Sequence, residues 1–506
     1  MDNNNNKKDE AKITHRYLAR IVIEAETPLV VHAGKKDLLT DAVVMKDVNG
    51  LPYIPGSSIA GVIRHAWKDA DKDIDQLFGF QKNISSTKGD KPNVDENEPK
   101  GMGSRIIFTE ARILNSEKKV VDGLQPDAIK NDPLLKEYPN LPVRQHVRIT
   151  QRGVADKNGK FDEEIVYAGT RFCFEMEMIG DDKDDIVFGQ LIKILNDGFF
   201  RLGSGSRKGF GKIKVIETQY CSLPIDHTDY LEKSSNLEDS KPWYNEHSLL
   251  LPEVDAPGRT TEKLRYSYRL RPENFFLFGS GFGDDEVDMT PVKELRVKGW
   301  DKKNGRVKGR SHFVPASSVK GALAHRVAFH YNRLTGAVIL SGGELKNGKK
   351  MEDVVGTNND AVRMLFGTAG DEKGDGKQRG NVIFSDLYIN ENVRDKIFNH
   401  VAIDRFTGGA IDGALFAEKA VYWQKPGDDA PMDKRYPLEL DIVIDKDGIE
   451  KAIGKHNENS VTKIEYADVL NALEATLTDL CEGRLPLGGS VNRGYGIFNG
   501  FKVEDK

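Results

Sequence analysis

The chain holds very little cysteine: three residues in 506, Cys173, Cys221 and Cys481, widely separated and without paired spacing. That argues against a disulfide framework and a local zinc knuckle, and it fits a reducing cytoplasm. No apolar run approaches the roughly 20 residues that span a bilayer, so no membrane partner is expected. The start, Met1-Asp2-Asn3-Asn4-Asn5-Asn6-Lys7-Lys8, has no apolar core of the kind a signal peptide carries. Also missing are a hydrolase triad, a metal-binding histidine pair, a dinucleotide fingerprint, and a P-loop with Gly-Lys-Ser/Thr opening a helix. Neither charge sign dominates, with 74 Lys and Arg against 79 Asp and Glu. The sum alone therefore neither announces nor excludes a nucleic-acid partner, and local patches carry the question.

What is present is a repeat. Ile54-Pro55-Gly56-Ser57-Ser58-Ile59-Ala60-Gly61-Val62-Ile63-Arg64-His65 returns as Val314-Pro315-Ala316-Ser317-Ser318-Val319-Lys320-Gly321-Ala322-Leu323-Ala324-His325. Each copy reads as an extended dipeptide, a proline-set turn and a serine cap opening a helix whose apolar positions recur at helical spacing. Further echoes follow in the same order. Gln76-Leu77-Phe78-Gly79 pairs with Met364-Leu365-Phe366-Gly367, and Ser104–Glu110 with Asn381–Asp386. His146–Gln151 pairs with His400–Arg405, and the glycine-rich loop at 203–211 with that at 488–496. Ordered echoes of this kind are the mark of an internal duplication.

The expected organisation is a disordered leader at 1–14, a first domain at 15–221, a linker at 222–262 and a second domain at 263–506. Each unit alternates strand and helix with an antiparallel finish, which predicts α+β architecture of the ferredoxin-like or RNA-recognition type. Residues 81–103 read as a polar insertion, and 164–179 as one strand. The basic stretch from Lys293 to Arg310 reads either as a solvated loop or as a phosphate-facing patch.

The glycine loops carry the most chemistry. Gly203-Ser204-Gly205-Ser206-Arg207-Lys208-Gly209-Phe210-Gly211 and Gly488-Gly489-Ser490-Val491-Asn492-Arg493-Gly494-Tyr495-Gly496 offer close backbone approach and cations, which suits gripping a polymer backbone. A second phosphate site is expected at the helix starts: Ser57, Ser58, Arg64 and His65, with Ser317, Ser318, Lys320, His325 and Arg326. Asp41 and Asp288 stand in comparable loops before the repeated motif. Either could activate a ribose hydroxyl or hold a divalent cation, although aspartate is also a good turn residue. Asp37, Asp284 and Asp285 compete for the same role.

These residues resemble the CRISPR-associated RAMP superfamily, specifically the backbone subunits of type III effector complexes. The resemblance rests on Asp41 followed by Val43-Val44-Met45-Lys46-Asp47 and Leu51-Pro52-Tyr53-Ile54-Pro55-Gly56-Ser57-Ser58, on the glycine loops, and on His400-Val401-Ala402-Ile403-Asp404-Arg405-Phe406-Thr407-Gly408-Gly409-Ala410. It implies two tandem RAMP units with thumb-like hairpins, bound to a guide RNA and to other effector subunits. It also implies that a loop aspartate cuts complementary target RNA by 2′-hydroxyl attack with a divalent ion, Mg²⁺. By position those aspartates are Asp41 and Asp288, which are also the expected metal ligands. Asp288 breaks the family spacing to the proline because the basic stretch intervenes. The first thumb is degraded, with Thr150-Gln151-Arg152-Gly153 in place of the Asp-Arg pattern. RNA binding falls to Ser57, Ser58, Arg64, His65, Gly205, Arg207, Lys208 and Gly209, and to Ser317, Ser318, Lys320, Arg326, Arg405, Ser490, Arg493 and Gly494. Two alternatives stand beside this: a non-catalytic guide-RNA scaffold, and a metal-independent nuclease that matures the guide precursor with His65 or His325 as base.

Overall fold

The structure is a computed structural model that describes residues 13–34, 40–69, 74–81, 101–150, 152–228, 230, 263–300, 305–337, 351–368, 376–389 and 391–503. Most of the expected leader and linker, and Asp37, lie outside the described residues.

The first unit is built on β1 (His15–Ala25), whose run Tyr17–Ile21 is buried on both faces: Tyr17, Ala19 and Ile21 in the main core, and Leu18 against Cys221, Leu223 and Tyr230. β1 pairs antiparallel with β5 (Arg171–Gly180) on one side and β6 (Ile213–Pro224) on the other. β2 (Ile106–Phe108) extends the sheet in the order β2-β5-β1-β6, and a fifth short strand, Arg112–Ile113, also pairs with β5. Two helices, α1 (Gly56–Asp69) and α2 (Asp185–Ile194), join these strands. Ile59, Ile63, Ala66 and Trp67 place one apolar stripe of α1 in the core, as their helical spacing requires. The order is that of a ferredoxin-like α+β sandwich. The predicted 164–179 strand is in fact two. β4 (Ala155–Glu164) ends before Tyr167–Thr170, where Gly169 takes a φ of 88°, and β5 begins only at Arg171.

The second unit repeats the plan with β7 (Lys263–Pro272), α3 (Ala316–Leu334), β10 (Val382–Ile383), β14 (Leu438–Asp445), α5 (Tyr466–Cys481) and β15 (Phe498–Val503), in the sheet order β10-β14-β7-β15. It adds a helix that the repeat does not foretell, α4 (Lys446–Asn459). This helix starts where Asp445 accepts a hydrogen bond from the Gly448 amide. Each unit has its own hydrophobic core.

Both units also carry a hairpin off the sandwich: β3 (Val143–Ile149) with β4, and β12 (Val393–His400) with β13 (Phe416–Trp423). The first hairpin is retained; only its tip is short, closed by hydrogen bonds among Thr150, Gly153 and Val154, where the second runs through 401–415.

The described part of the basic stretch is a hairpin rather than a loop, with Arg306 and Arg310 exposed on it. It forms β8 (Lys293–Lys298) and β9 (Arg306–Val314), a hairpin extended by β11 (Leu387–Ile389). Trp300, just past β8, docks on the first unit: it is buried among first-unit core residues and donates Nε1–H to the Gly169 carbonyl at 2.8 Å. Lys293 pairs with Asp395, and Arg296 lies 4.1 Å over the Tyr388 ring. A second tie crosses the same junction. Arg144 on β3 donates to Glu294 and, at 2.8 Å, to Asp386, while its guanidinium sits 4.7 Å from both the Phe210 and Phe313 rings.

Candidate nucleic-acid interface and paired aspartates

The two candidate aspartates occupy matching places. In the first unit Ala42 bridges in parallel to Glu163 on β4, and in the second Met289 bridges to Glu418 on β13. Asp41 and Asp288 each come one residue earlier. Asp41 accepts from the Asp162 amide through Oδ2 at 3.3 Å, and Asp288 accepts from the Ala417 amide through Oδ2 at 2.8 Å. The straps that carry them align without a gap: Leu29 and Phe276 bridge Val166 and Val421, and His32 and Gly279 bridge Val44 and Pro291. The longer spacing from Asp288 to Pro315 is the β8–β9 hairpin, inserted after the strap. Of the competitors, Asp284 serves a turn. It accepts from the Glu286 and Val287 amides and pairs with Lys419 at 2.8 Å, and that lysine chiefly holds its carboxyl below the ordinary value.

Between strap and glycine loop lies a constellation that no single stretch of sequence announces. Glu163 is 2% exposed, with His146 Nε2 at 2.8 Å, Lys208 Nζ at 3.0 Å and His32 Nε2 at 3.6 Å. Glu418 is 0% exposed, with His400 Nε2 at 2.9 Å, Arg493 Nη1 at 2.9 Å and Ser490 Oγ at 2.8 Å. His146 stacks on Phe161 and His400 on Phe416, with centroids 4.9 Å apart in each. Lys208 lies 4.4 Å over Phe161 and Arg493 4.7 Å over Phe416. Burial raises the Glu163 carboxyl, but His146 and Lys208 outweigh it and hold the group at about 2. Glu418 is lowered likewise, its burial overcome by Ser490, His400 and Arg493. The repeated histidine is the signal the sequence offers; the glutamates sit in strands of dissimilar sequence. Lys208, Arg493 and Ser490 are thus partners of buried carboxylates, with the Lys208 and Arg493 side chains still 34% and 35% exposed.

The glycine loops themselves match. A short 3₁₀ turn at Ser206–Lys208 is flanked by Gly205 and Gly209 in left-handed conformation, and the turn at Val491–Arg493 by Ser490 and Gly494. Gly211 and Gly496 both have φ of 77°, and a Cβ on either would stand 2.0 Å from the carbonyl of Leu202 or Leu487. Only glycine fits there.

Arg207 opens into a cleft of about 320 Å³ at the junction, lined also by His65, Arg201 and Arg379. Its guanidinium donates to the Gly380 carbonyl at 3.0 Å and to Ser206 Oγ at 3.2 Å. Burial and the neighbouring Arg379 push its pKa down to about 9, against a weaker opposite pull from Asp445. Burial brings Arg201 down to about 10, and its Nε has no hydrogen-bond partner among the described residues. Lys320 is lowered by burial and by Arg207 and Lys208. Arg201 and Arg379 belong to no repeated motif, and they reach the cleft from different units.

The serines are not caps. α1 and α3 begin at Gly56 and Ala316, so Ser57, Ser58, Ser317 and Ser318 lie inside the first turn. At α3 the Ala316 amide is taken by Asp386 Oδ1 at 2.8 Å, so the start of that helix already has its anion. Arg64 is exposed, 3.7 Å from Asp75, and His65 Nε2 lies 3.0 Å from Arg379. Arg326 is tied to Asp479 on α5 at 2.5 Å, and His325 is exposed. Arg405 is exposed at the tip of the second hairpin, beside Phe406, which is 98% exposed.

No group of three or more His, Cys, Asp or Glu side chains suited to a metal occurs among the described residues. One carboxylate on each strap, Asp41 or Asp288, is too few donors for a protein cage and would fit only an ion that shares its sphere with substrate phosphate and water. No helix of the described residues is long and apolar enough to cross a membrane.

Comparison with known proteins agrees with this duplicated geometry. The CRISPR system Cms endoribonuclease Csm3 of Methanocaldococcus jannaschii is 29% identical over 241 residues, which cover 44% of this chain and 88% of that protein. The RAMP superfamily matches residues 22–214 and again residues 275–499, one region in each unit. Matched over most of its length and in two successive regions, the chain belongs to the RAMP superfamily.

Proposed function

We propose that the chain is a fused double backbone subunit of a type III CRISPR effector, binding guide RNA and cutting complementary RNA at two places. One observation carries the binding half. Arg207, Arg201 and Arg379 are held together in the junction cleft, the charge on Arg201 disfavoured by burial and that on Arg207 by burial and the neighbouring Arg379. A polyanion threaded there would relieve both costs, and neutralising backbone phosphates with basic side chains supplies a large share of nucleic-acid affinity. The exposed hairpin tips, with Val147 and Val154 in one and Ile403, Phe406 and Leu415 in the other, suit insertion between stacked base pairs.

The cutting half rests on the matched straps. Asp41 and Asp288 would take the proton from a target 2′-hydroxyl; its oxygen then bonds to the adjacent phosphorus while the bond to the 5′-oxygen breaks. The products are a 2′,3′-cyclic phosphate and a 5′-hydroxyl that gains a proton from solvent. A divalent ion, Mg²⁺ being the expected one, would neutralise charge developing on that phosphate, with Asp41 or Asp288 as its protein ligand. The backbone clip at Asp162 or Ala417 orients each carboxylate.

That same clip favours the second reading, a scaffold in which both aspartates only brace the hairpins. Cleavage mapping on end-labelled complementary RNA separates the two, using guide-loaded complex carrying D41A, D288A or neither. We expect each substitution to remove one distinct cut with RNA binding retained. An unchanged pattern in both leaves the scaffold.

A further inference from the structure

We propose that Glu163 and Glu418 are positioning residues, which set the place of Asp41 and Asp288 relative to the glycine loop of the same unit. This rests on the reading of those aspartates as the cutting groups. The geometry carries it twice over within one chain.

On β4 successive side chains face opposite ways. Asp162 and Glu164 grip the strap: the Asp41 amide donates to Asp162 Oδ1 at 2.8 Å, the Val44 amide to Glu164 Oε2 at 2.9 Å, and Lys46 to Glu164 Oε1 at 2.7 Å. Glu163, between them, turns inward to His146 and to Lys208 of the glycine loop. In the second unit Asp288 and Met289 are held to Ala417, and Glu418 turns inward to His400 and Arg493. Sliding either strand would strip a buried carboxylate of its partners, which costs far more than an exposed pair. The strand therefore holds one position, and the aspartate clipped to it holds one position relative to the loop that borders the cleft.

The third partner shows that the inward carboxylate is what both units preserve. In the first unit it is His32, reaching across from the strap, and the loop position opposite is Gly205. In the second unit the strap position is Gly279, and the loop supplies Ser490 instead. One glycine and one polar residue have changed places, and the buried glutamate keeps three contacts. Ser490 does this at a φ of 57°, a conformation in which glycine would be less strained.

The test uses the full chain in guide-loaded complex, with single-turnover rates at each mapped cut and target affinity measured separately. E163Q is expected to slow the first cut about 10- to 100-fold, the range for a reacting group displaced by about 1 Å. The second cut and target affinity should stay within about 2-fold, and E418Q should give the reciprocal pattern. S490G covers the case in which a glutamine variant fails to fold, since glycine suits that backbone. It should slow the second cut about 3- to 10-fold without lowering Tm. Equal slowing of both cuts by E163Q, or an unchanged second cut in S490G, overturns the proposal. If D41A run alongside leaves the first cut intact, the cleavage reading itself falls, and the positioning role falls with it.

Discussion

Arg144 donates through Nη1 to Asp386 Oδ2 at 2.8 Å, and the other oxygen of Asp386 accepts from the Ala316 amide that opens α3. One side chain of the first unit thereby sets the helix start of the second. The pair is buried, with Glu294 on the other edge of the guanidinium. Despite burial, the two carboxylates hold Arg144 protonated well above its ordinary range.

Removing that cation strands two buried carboxylates. Arg144→Met should destabilise the protein by about 3–5 kcal/mol in urea unfolding. Adding E294Q and D386N to it should recover most of the loss, because the uncompensated charges go with the arginine. An R144M protein as stable as the parent would refute the account.

Trp300 makes a separate claim on the same junction. W300A removes a buried indole and its hydrogen bond to Gly169, and should cost about 3–5 kcal/mol. The diagnostic readout is hydrogen exchange: protection should fall around Gly169 in the first unit as well as at the hairpin. A loss confined to the second unit would show that Trp300 does not anchor the first.

The cleft predicts opposite signs for stability and binding. Arg207→Met takes a crowded cation away from Arg379, so Tm of the RNA-free protein should not fall. Guide-RNA affinity should drop about 5- to 10-fold, with a salt dependence shallower by about one ion. Lower Tm with unchanged affinity would mean the arginine is structural.

Acid stability should depend on Asp479. Burial raises this carboxyl, but Arg484, His330 and Arg326 bring it down to about 2 from an ordinary 3.8. A depressed acid stabilises the fold in full above its unfolded pKa and loses that contribution as pH falls through the folded value. Asp479→Asn should therefore cost about 2 kcal/mol at pH 7, with the difference from the parent closing between pH 4 and pH 2. A constant gap across that window would point to packing instead of charge.

Part of the candidate site is legible in the sequence because it is local. The proline turn before α1 and α3, and the glycine loops with φ near 77° at Gly211 and Gly496, are written in a few adjacent residues. The serines read as caps, yet helix initiation falls to the residue after each proline, and at α3 the acceptor is Asp386, 70 positions away. Lys208 and Arg493 are visible as cations, but not as the partners of Glu163 and Glu418, which arrive on distant strands.

The sequence by itself determined the duplication, the α+β order of elements and the paired candidates Asp41 and Asp288, since period, turn chemistry and repetition survive in one dimension. Tertiary structure alone decided that the longer run from Asp288 to Pro315 is a hairpin inserted after an otherwise matching strap. It also turned the basic stretch into a docking hairpin, brought Arg201, Arg207 and Arg379 into one cleft, and buried a glutamate beneath each strap. Those outcomes depend on groups far apart in the chain meeting in a low-dielectric interior. There an ionised side chain must find its partners, and sequence spacing carries no record of which they are.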